Sequence, residues 1–525
     1  MHHANRRIRI YSQCRPWTWC SISRYLRRRS QHRLLPVVGG CFSSVLTIHG
    51  VGKRRHGGVA IASDANPKKL DEMVNGLKYK YVFYALLGQI LAILIFQFLF
   101  HRLAIIPVPD SGSYLQFDWS FPGFLKSNRT VGYPAFLEMV RFLDPRLISL
   151  ATLQLWTHLL AVFFFAVSLA SFGISRAMVL GVASPLLYSP AIRASYFLLI
   201  PDSLGCSFSL LVICMALIVI RYPSRRLAWC MLALMLAATY MVRPAYIFLM
   251  LLVPLVIICL GLLRYGIRRF MPLLKFFLAR CIFSCVVPFI LFCGFRFIVV
   301  GEFSLISFGG YNVIGLAAQF VDQTDVPALP QEFRPLAEEI LFEQQRRGMV
   351  ERNADGARVL STREIMNNYN GYIHQIVVPY LVKQGMTSTE INRHLTRFSK
   401  IILGLHARDY KQWLARSLAL ALGSFPDQMF VLCLGLMLFV SFLARIISAR
   451  SMLRVADLPV IEVAVIAAIG IGYFVAQISL IVLVELPVPR YTDTAFLFLP
   501  SVLLAGVVEN IRVIRQNCKL RYVHG

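Results

Sequence analysis

The length, composition and charge of the chain exclude an ordinary soluble protein. Its 525 residues are 57% hydrophobic and 15% charged, whereas soluble domains carry about 25% charged residues. The formal net charge of +28 would suggest nucleic-acid binding in a soluble chain. In a membrane protein, however, Lys and Arg collect in cytoplasmic loops and beside anionic headgroups. We therefore predict a multi-pass membrane protein whose partners include membrane lipids and no nucleic acid.

Residues 1–72 differ from the rest of the chain in composition. They are rich in Arg and His, lack a helical period, and contain no acidic residue before Asp64. A mitochondrial presequence shares these properties. The composition favours instead a disordered cytoplasmic tail, or an over-extended start with the true first residue at Met73.

Ten apolar runs reach or approach the roughly 20 residues that a crossing helix needs. The third run is short and interrupted by Pro185 and Pro190, so we expect about ten spans and an all-α membrane protein. The runs start near Tyr81, Ile148, Ala177, Leu204, Leu227, Ala245, Phe277, Phe425, Pro459 and Thr494.

Basic clusters set the predicted orientation of these spans. If the N-terminal segment is cytoplasmic, every basic cluster in a short loop falls on the cytoplasmic side, in agreement with the positive-inside rule. Both ends of the chain are then cytoplasmic. The clusters contain Arg176, Arg221, Arg225, Arg226, Arg264, Arg268, Arg269, Lys275, Arg280, Arg445, Arg450, Arg454, Arg512, Arg515, Lys519 and Arg521.

The opposite, outer side collects isolated charges beside Pro and aromatic residues at the ends of spans. Single charges at a membrane edge are costly unless they are paired or used in function. One alternative is that long side chains reach the interface and aromatic residues lie in it. That alternative suits Arg193 and Tyr196, but it suits the short carboxylates of Asp110 and Asp202 poorly.

A long polar loop of residues 301–424 lies on the outer side in this topology. The stretches QEFRPLAEEILFEQQRRGMVERN and STEINRHLTRFSKIILGLHARDYKQWLARSLALAL have helical spacing and good helix formers. We predict a small helical subdomain on the membrane surface. Its histidines, His374, His394 and His406, have no metal-ligand spacing, so each is expected to be solvated or satisfied by neighbours.

Four outer segments, taken together in order, resemble the GT-C membrane glycosyltransferases. The likeness is to the family that includes protein O-mannosyltransferases and the bacterial lipid A aminoarabinose transferase. It spans Tyr81 to Val513. The segments are PDSGSYLQFDWS…SNRTVGYPAFLEMV with Asp110, Tyr114, Arg129 and Tyr133, LLIPDSLGCSFSLL with Asp202, YMVRPAYIFLMLL with Arg243, and PVPRYTDTAFLFLP with Arg490 and Tyr491.

The resemblance implies transfer of a sugar from a polyprenyl phosphate to an acceptor hydroxyl at the outer leaflet. Such a reaction needs a base near the acceptor and cations near the phosphate. Asp110 is the candidate base, although PDSG is also an ordinary turn sequence. Asp202 is expected to pair with an Arg, to bind the acceptor, or to share a divalent cation (Mg²⁺ or Mn²⁺) with Asp110. Asp110 is followed by Ser where many relatives have a second acid, which leaves metal dependence and the donor open.

Arg129, Arg243 and Arg490, with Tyr491, are the candidates for binding the donor phosphate. The guanidinium group is planar, always charged and multidentate, which suits phosphate oxygens. The alternative is a headgroup contact or an ion pair with Asp202 or Glu485. Tyr114 and Tyr133 are further site candidates, and Asp118 is expected to be a solvated loop residue.

The expected organisation has three parts after the tail. Residues 73–300 form an N-terminal transmembrane catalytic module whose first outer loop is 103–147. Residues 301–424 form the outer subdomain, and residues 425–525 form the last helices and a basic cytoplasmic tail. The resemblance implies a GT-C-like fold with juxtamembrane helices, a bacterial inner membrane, and a lipid, glycan or protein acceptor. A secondary transporter, or a non-catalytic membrane protein that keeps the fold, stays an alternative.

Overall fold

The computed structural model describes residues 67–100, 103–349, 351–352, 358–359, 362–423, 428–449 and 459–524. Within residues 71–525, the described residues form one compact unit. The first helix, α1 (Pro67–Leu99), includes the end of the predicted 1–72 tail. The rest of that tail lies outside the described residues.

The described helices before residue 301 include long apolar helices and several short helices between them. A 3₁₀ turn (Pro244–Phe248) precedes α10, and a π-helical segment (Ile282–Val286) joins α11 to α12. The helices are α2 (Ser111–Leu115), α3 (Gly123–Lys126), α4 (Gly132–Leu143), α5 (Leu150–Phe172), α6 (Arg176–Leu187), α7 (Pro190–Ser195), α8 (Asp202–Arg221), α9 (Arg226–Val242), α10 (Leu249–Tyr265), α11 (Ile267–Cys281) and α12 (Val287–Val300).

The stretch from residue 301 to 423 is helical apart from one small hairpin, in which β1 (Glu351–Arg352) pairs antiparallel with β2 (Arg358–Val359). We call these residues the outer subdomain. A π-helical segment (Tyr372–Val377) joins its α15 to its α16. The helices are α13 (Gly309–Ala317), α14 (Arg334–Arg347), α15 (Thr362–Gly371), α16 (Val378–Lys383), α17 (Ser388–Leu405) and α18 (Ala407–Gly423), and the last ones of the chain are α19 (Gln428–Ala449), α20 (Pro459–Val484), α21 (Pro489–Ala495) and α22 (Leu499–His524).

The described residues contain eight helical segments that are long and apolar enough to cross a membrane. The protein is therefore an integral, multi-pass membrane protein. Two shorter apolar helices, Arg226–Val242 and Cys433–Ala444, coincide with two further predicted runs, and the count of about ten crossings stays a prediction. The eight segments are Tyr79–Leu99, Leu150–Phe172, Arg176–Ser195, Asp202–Arg221, Pro244–Tyr265, Ile267–Val300, Ile461–Val484 and Pro489–Cys518.

One apolar core holds the membrane-spanning helices together. Fully buried Leu159 and Val162 of α5 and Leu210 and Ile213 of α8 belong to it. Helix α5 packs along α8, while α22 packs against α19 and α6. Small residues permit close approach of helices: a Cβ added at Gly470 of α20 would lie 2.3 Å from Cγ2 of a valine on α22.

The outer subdomain has a hydrophobic core of its own. Phe333, Ile340, Phe398 and Ile402 are completely buried in it. Its helix α17 begins with a capping box, in which Thr387 and the glutamate three residues later bond to each other's backbone N–H. Because α13 packs against α17, the start of the subdomain is fixed relative to its later helices.

Candidate functional site

Five charged side chains meet at one end of the helix bundle in alternating order, and we call them the Arg–Asp network. Arg490 is central: its Nη1 lies 2.7 Å from Oδ2 of Asp110, and its Nη2 lies 3.1 Å from Oδ2 of Asp202. The second carboxylate oxygen of each aspartate is also paired. Arg129 Nη2 lies 3.0 Å from Oδ1 of Asp110, and Arg243 Nη1 lies 2.5 Å from Oδ1 of Asp202.

Backbone contacts between two loops bring the two aspartates together. The N–H of Ile106 donates to the carbonyl of Phe197, and the N–H of Leu199 donates back to the carbonyl of Ile106. The hydroxyl of Ser111 donates to the carbonyl of Leu199 at 3.0 Å. The loop that carries Asp110 is thereby attached to the loop that leads into α8, whose first residue is Asp202.

Helix starts and bends position the other members of the network. Asp202 lies at the N-terminus of α8, where the helix dipole favours a negative charge. Arg243 occupies the bend between α9 and the following 3₁₀ turn. A Cβ added at Gly205 would lie 2.5 Å from the ring of Tyr246, so the first turn of α8 packs closely on the residues after Arg243. Arg490 lies in the first turn of α21.

Aromatic side chains surround the guanidinium groups. Arg129 donates to the hydroxyls of Ser113 at 2.9 Å and Tyr114 at 3.2 Å, and its Cζ lies 4.6 Å from the centroid of the Tyr114 ring. Tyr133 packs edge-on against Tyr114 at 5.1 Å. The ring of Tyr491 lies 5.3 Å from Cζ of Arg243 and 5.6 Å from Cζ of Arg490. These contacts restrict the guanidinium orientations.

The glycine of the RTVGYPAFL segment has a steric role beside the network. A Cβ added at Gly132 would lie 2.5 Å from the backbone carbonyl carbon and oxygen of Met241. Helix α4 therefore begins in contact with the backbone at the end of α9, two residues before Arg243. This contact connects the first outer loop with the bend that carries Arg243.

The network is buried at one end and open at the other. The side chain of Asp202 is 1% exposed, whereas that of Asp110 is 36% exposed. Burial raises the pKa of Asp110, but the guanidinium groups of Arg129 and Arg490 outweigh this and hold its pKa below the ordinary value. Within the network, three guanidinium groups face the carboxylates of two aspartates.

The outer subdomain contributes a roof above the network, formed by Phe308, Asn312 and Tyr369. The ring of Phe308 lies 5.7 Å from Cζ of Arg129. Asn312 Nδ2 donates to Oε1 of Glu485 at 3.0 Å, and the Tyr369 hydroxyl donates to the carbonyl of Asn312 at 2.5 Å.

Glu485 joins the roof to the network. It precedes α21 and lies within electrostatic range of Arg243 and Arg490. Burial raises the pKa of this carboxyl, and the two guanidinium groups only partly oppose that effect. The hydrogen bond from Asn312 to Glu485 connects the outer subdomain to the segment that carries Arg490.

The two aspartates do not fit a divalent-cation site. All four of their carboxylate oxygens contact a guanidinium nitrogen of Arg129, Arg243 or Arg490. A cation bound between the carboxylates would displace Arg490 and meet three positive charges at short range. In the part of the chain that the structure describes, no group of three or more His, Cys, Asp or Glu is placed to hold a metal ion.

The structure brings the predicted site residues together with two differences in detail. The ion pair of Asp202 with Arg243 and Arg490 is the alternative that the sequence left open for these arginines. Tyr196, which suits an interfacial position in sequence, is 2% exposed, and its hydroxyl donates to Oε1 of Gln97. Asp118 is an exposed turn residue that accepts from the N–H of Ser120, as the sequence predicts.

The histidines of the outer subdomain have three different environments. His406 is satisfied, because its Nε2 lies 2.9 Å from Oδ2 of Asp325. His394 packs against Phe333 with ring centroids 4.8 Å apart. His374 lies in the π-helical segment, and its side chain is exposed.

No protein-family model matches the chain, and no curated protein or solved structure is similar to it. The Arg–Asp network and its roof therefore carry the functional inference.

Proposed function

We propose that the protein is a membrane glycosyltransferase that moves a sugar from a polyprenyl-phosphate donor to an acceptor hydroxyl on the extracytoplasmic face of a bacterial inner membrane. The observation that carries the proposal is the double contact of Arg490 with Asp110 and Asp202 at one end of the bundle. The contact unites a candidate base with three guanidinium groups in a membrane-bound setting.

The charge of the network suits a lipid-linked phosphodiester. Such a donor carries one negative charge, which guanidinium groups of the network can bind. Arg129, Arg243 and Arg490 offer planar, multidentate donors to phosphate oxygens. Tyr491, whose ring lies against two of these groups, is placed to contact the same phosphate. The apolar helices around the network would face the polyprenyl chain.

In the proposed mechanism, Asp110 becomes a base when the donor phosphate replaces it as a partner of Arg490. Without donor, Arg129 and Arg490 stabilise the Asp110 carboxylate and make it a weak base. A phosphate that takes over Arg490 removes part of this stabilisation, so the pKa of Asp110 rises toward the range of a useful base. Donor binding thereby activates the residue that must deprotonate the acceptor. Asp202 stays buried and holds Arg243 and Arg490 in position.

The transfer step follows from these positions. The acceptor oxygen forms a bond to the anomeric carbon, while its proton moves to the carboxylate of Asp110. The bond between the anomeric carbon and the phosphate oxygen breaks, and the polyprenyl phosphate leaves with the electron pair. Its new negative charge is balanced by Arg490, Arg243 and Arg129. Tyr114 and Tyr133 act indirectly by holding Arg129.

A donor screen tests the proposal. Membranes that contain the purified protein are incubated with different polyprenyl-phosphate sugars, and lipids, glycans and proteins are then analysed by mass spectrometry. We expect one donor to lose its sugar to an acceptor with release of polyprenyl phosphate. Donor binding without transfer would instead support a non-catalytic protein, and solute uptake into vesicles without donor binding would support a transporter.

A further inference from the structure

A completely buried glutamine of α5, Gln154, forms four hydrogen bonds beside the network. Its Nε2 donates to the carbonyl of Tyr196 at 2.7 Å and to that of Leu198 at 3.2 Å. Its Oε1 accepts from the hydroxyl of Ser203 at 3.2 Å and from that of Tyr133 at 3.4 Å. A primary amide has two N–H donors and an oxygen with two lone pairs, so the hydrogen-bonding capacity of Gln154 is fully used.

The amide donors of Gln154 hold the loop to which the Asp110 segment is bonded. The first and third carbonyls of residues 196–199 accept from Gln154. The second and fourth carbonyls accept from the N–H of Ile106 and from the hydroxyl of Ser111. The loop is therefore bonded to α5 on one side and to the segment that carries Asp110 on the other, and a shift of the loop would displace that segment.

The amide oxygen of Gln154 holds two further segments of the site. Ser203 follows Asp202 in the first turn of α8 and is completely buried. Tyr133, which is also completely buried, packs edge-on against Tyr114 with ring centroids 5.1 Å apart. The Tyr114 hydroxyl in turn accepts from a guanidinium group of the network. One side chain thus connects the start of α4, the start of α8 and the loop that leads into α8.

Building on the proposed function, we propose that Gln154 is a positioning residue of the transfer reaction that sets the separation of Asp110 and Asp202. It acts through the loop that leads into α8 and through Ser203, without touching donor or acceptor. With this separation fixed, the donor phosphate replaces Asp110 as a partner of Arg490 while Asp202 keeps its contact. The carboxylate of Asp110 then stays aligned with the acceptor hydroxyl, and a displacement of about 1 Å at such a group can cost on the order of 10²-fold in rate.

Hydrogen–deuterium exchange tests the positioning role without any activity measurement. Gln154→Met nearly keeps the volume of the side chain and removes its hydrogen bonds. In the purified full-length protein, we expect faster amide exchange in peptides that cover residues 104–112 and 196–202, because backbone N–H groups in both peptides form the bonds between the two loops. Wild-type protection of both peptides in Gln154→Met overturns the positioning role.

Gln319→Met is the matched control for this experiment. Gln319 is a buried glutamine of the outer subdomain, and its Nε2 also donates to two backbone carbonyls, at 2.7 Å and 3.1 Å. Its replacement removes the same kind of contact away from the two loops. We expect peptides 104–112 and 196–202 to stay as protected in Gln319→Met as in the wild type. Equal loss of protection in the Gln319 and Gln154 variants overturns the positioning role, because the loss would then reflect general destabilisation.

Gln154→Glu is a second, milder variant that keeps the proposal testable if Gln154→Met does not fold. A glutamate keeps the shape of the side chain and can still accept from the two hydroxyls, but it loses at least one donation to the loop carbonyls. We expect exchange in the same two peptides to be faster than in the wild type and slower than in Gln154→Met. Exchange in Gln154→Glu that is no faster than in the wild type overturns the positioning role.

Kinetics with the donor found in the screen test the role in transfer. We expect Gln154→Met to lower kcat on the order of 10²-fold with a smaller change in the KM for donor, because Arg243 and Arg490 keep Asp202 as a partner. Gln319→Met should keep kcat near the wild-type value. Wild-type kcat in Gln154→Met, or equal losses in both variants, overturns the positioning role alone. A wild type inactive with every donor overturns this role together with the proposed function, whatever the exchange experiment shows.

Discussion

Arg490 lies 2.7 Å from the carboxylate of Asp110 although 380 residues separate them in the chain. The same guanidinium contacts Asp202, so one side chain connects the first outer loop, the start of α8 and the start of α21. Arg490 therefore holds these three segments together, and in the proposed mechanism it exchanges a carboxylate partner for the donor phosphate.

Removal of Arg490 should destabilise the fold more than removal of a surface arginine. Arg490→Ala leaves Asp202 buried with only Arg243 as its charged partner, and breaking a buried pair costs about 3–5 kcal/mol. We expect a value at the lower end of this range, measured as thermal unfolding in detergent. Arg397→Ala is the control, because its pair with Glu332 is exposed and should contribute less than about 1 kcal/mol. Equal shifts of the unfolding temperature in the two variants would show that Arg490 does not hold these segments together.

Asp110→Asn should distinguish the effect of losing the base from the effect of losing the Arg490 contacts. The substitution keeps size and hydrogen bonding but removes basicity, so we expect turnover to fall on the order of 10²–10⁴-fold while donor still binds. Arg490→Ala should weaken donor binding as well as turnover, since a phosphate contact exists in both the ground and the transition state. Donor binding is measured by fluorescence titration and transfer by mass spectrometry. Near wild-type transfer by Asp110→Asn would make Asp202 the next candidate.

The sequence predicts the position of the network better than its pairing. Topology and the family resemblance place Asp110, Asp202 and the three arginines at one side of the membrane. Which arginine bridges the aspartates depends on the rotation of α8 and α21 about their axes and on side-chain rotamers. Apolar periodicity does not specify either property within long helices that are apolar on most sides.

The roof is harder to predict than the network. Phe308, Asn312 and Tyr369 reach the site through the packing of α13 and α15 and the residues beside them, in a stretch of the chain without a recognisable motif. The fully buried Arg296 is another such residue: its Nε donates to the carbonyl of Leu125 at 2.9 Å, which attaches the first outer loop to the end of α12. A charge inside an apolar run marks a functional or structural role, but the partner is set by the tertiary fold.

Gly132 should tolerate no side chain. A Cβ added at Gly132 would lie 2.5 Å from the backbone carbonyl of Met241. Gly132→Ala must therefore displace α4 from the end of α9. Overpacking of this kind costs about 1–3 kcal/mol, and we expect a lower unfolding temperature with reduced transfer. Gly112→Ala is the matched control, because nothing lies within 4 Å of its added Cβ and the variant should be as stable as the wild type. A stable and active Gly132→Ala would show that this contact does not position the site.

Divalent cations should neither stabilise the protein nor be needed for transfer. Every carboxylate oxygen of Asp110 and Asp202 already contacts a guanidinium nitrogen. We expect Mg²⁺ and Mn²⁺ to leave the unfolding temperature unchanged, and EDTA to leave transfer unchanged. A cation-dependent rise in unfolding temperature that Asp202→Asn abolishes would establish a metal site between the aspartates.

The orientation of the chain can be determined with single cysteines introduced at exposed positions. Gln345 of α14 and Lys383 of α16 are exposed in the outer subdomain, whereas Ser224 is exposed in the short loop between α8 and α9. We expect a membrane-impermeant maleimide added to intact cells to label Gln345→Cys and Lys383→Cys but not Ser224→Cys. Peptide-level mass spectrometry separates these positions from the native cysteines.

The labelling pattern decides more than the topology, because the roof and the network lie together. Asn312 and Glu485 are in contact, so the side of the membrane that exposes the outer subdomain is also the side on which Asp110 meets its acceptor. Labelling of Gln345→Cys and Lys383→Cys only after permeabilisation would place that acceptor in the cytoplasm. The basic loop at Ser224 would then lie outside, against the charge rule, and a donor lipid exposed in the outer leaflet would no longer fit the site.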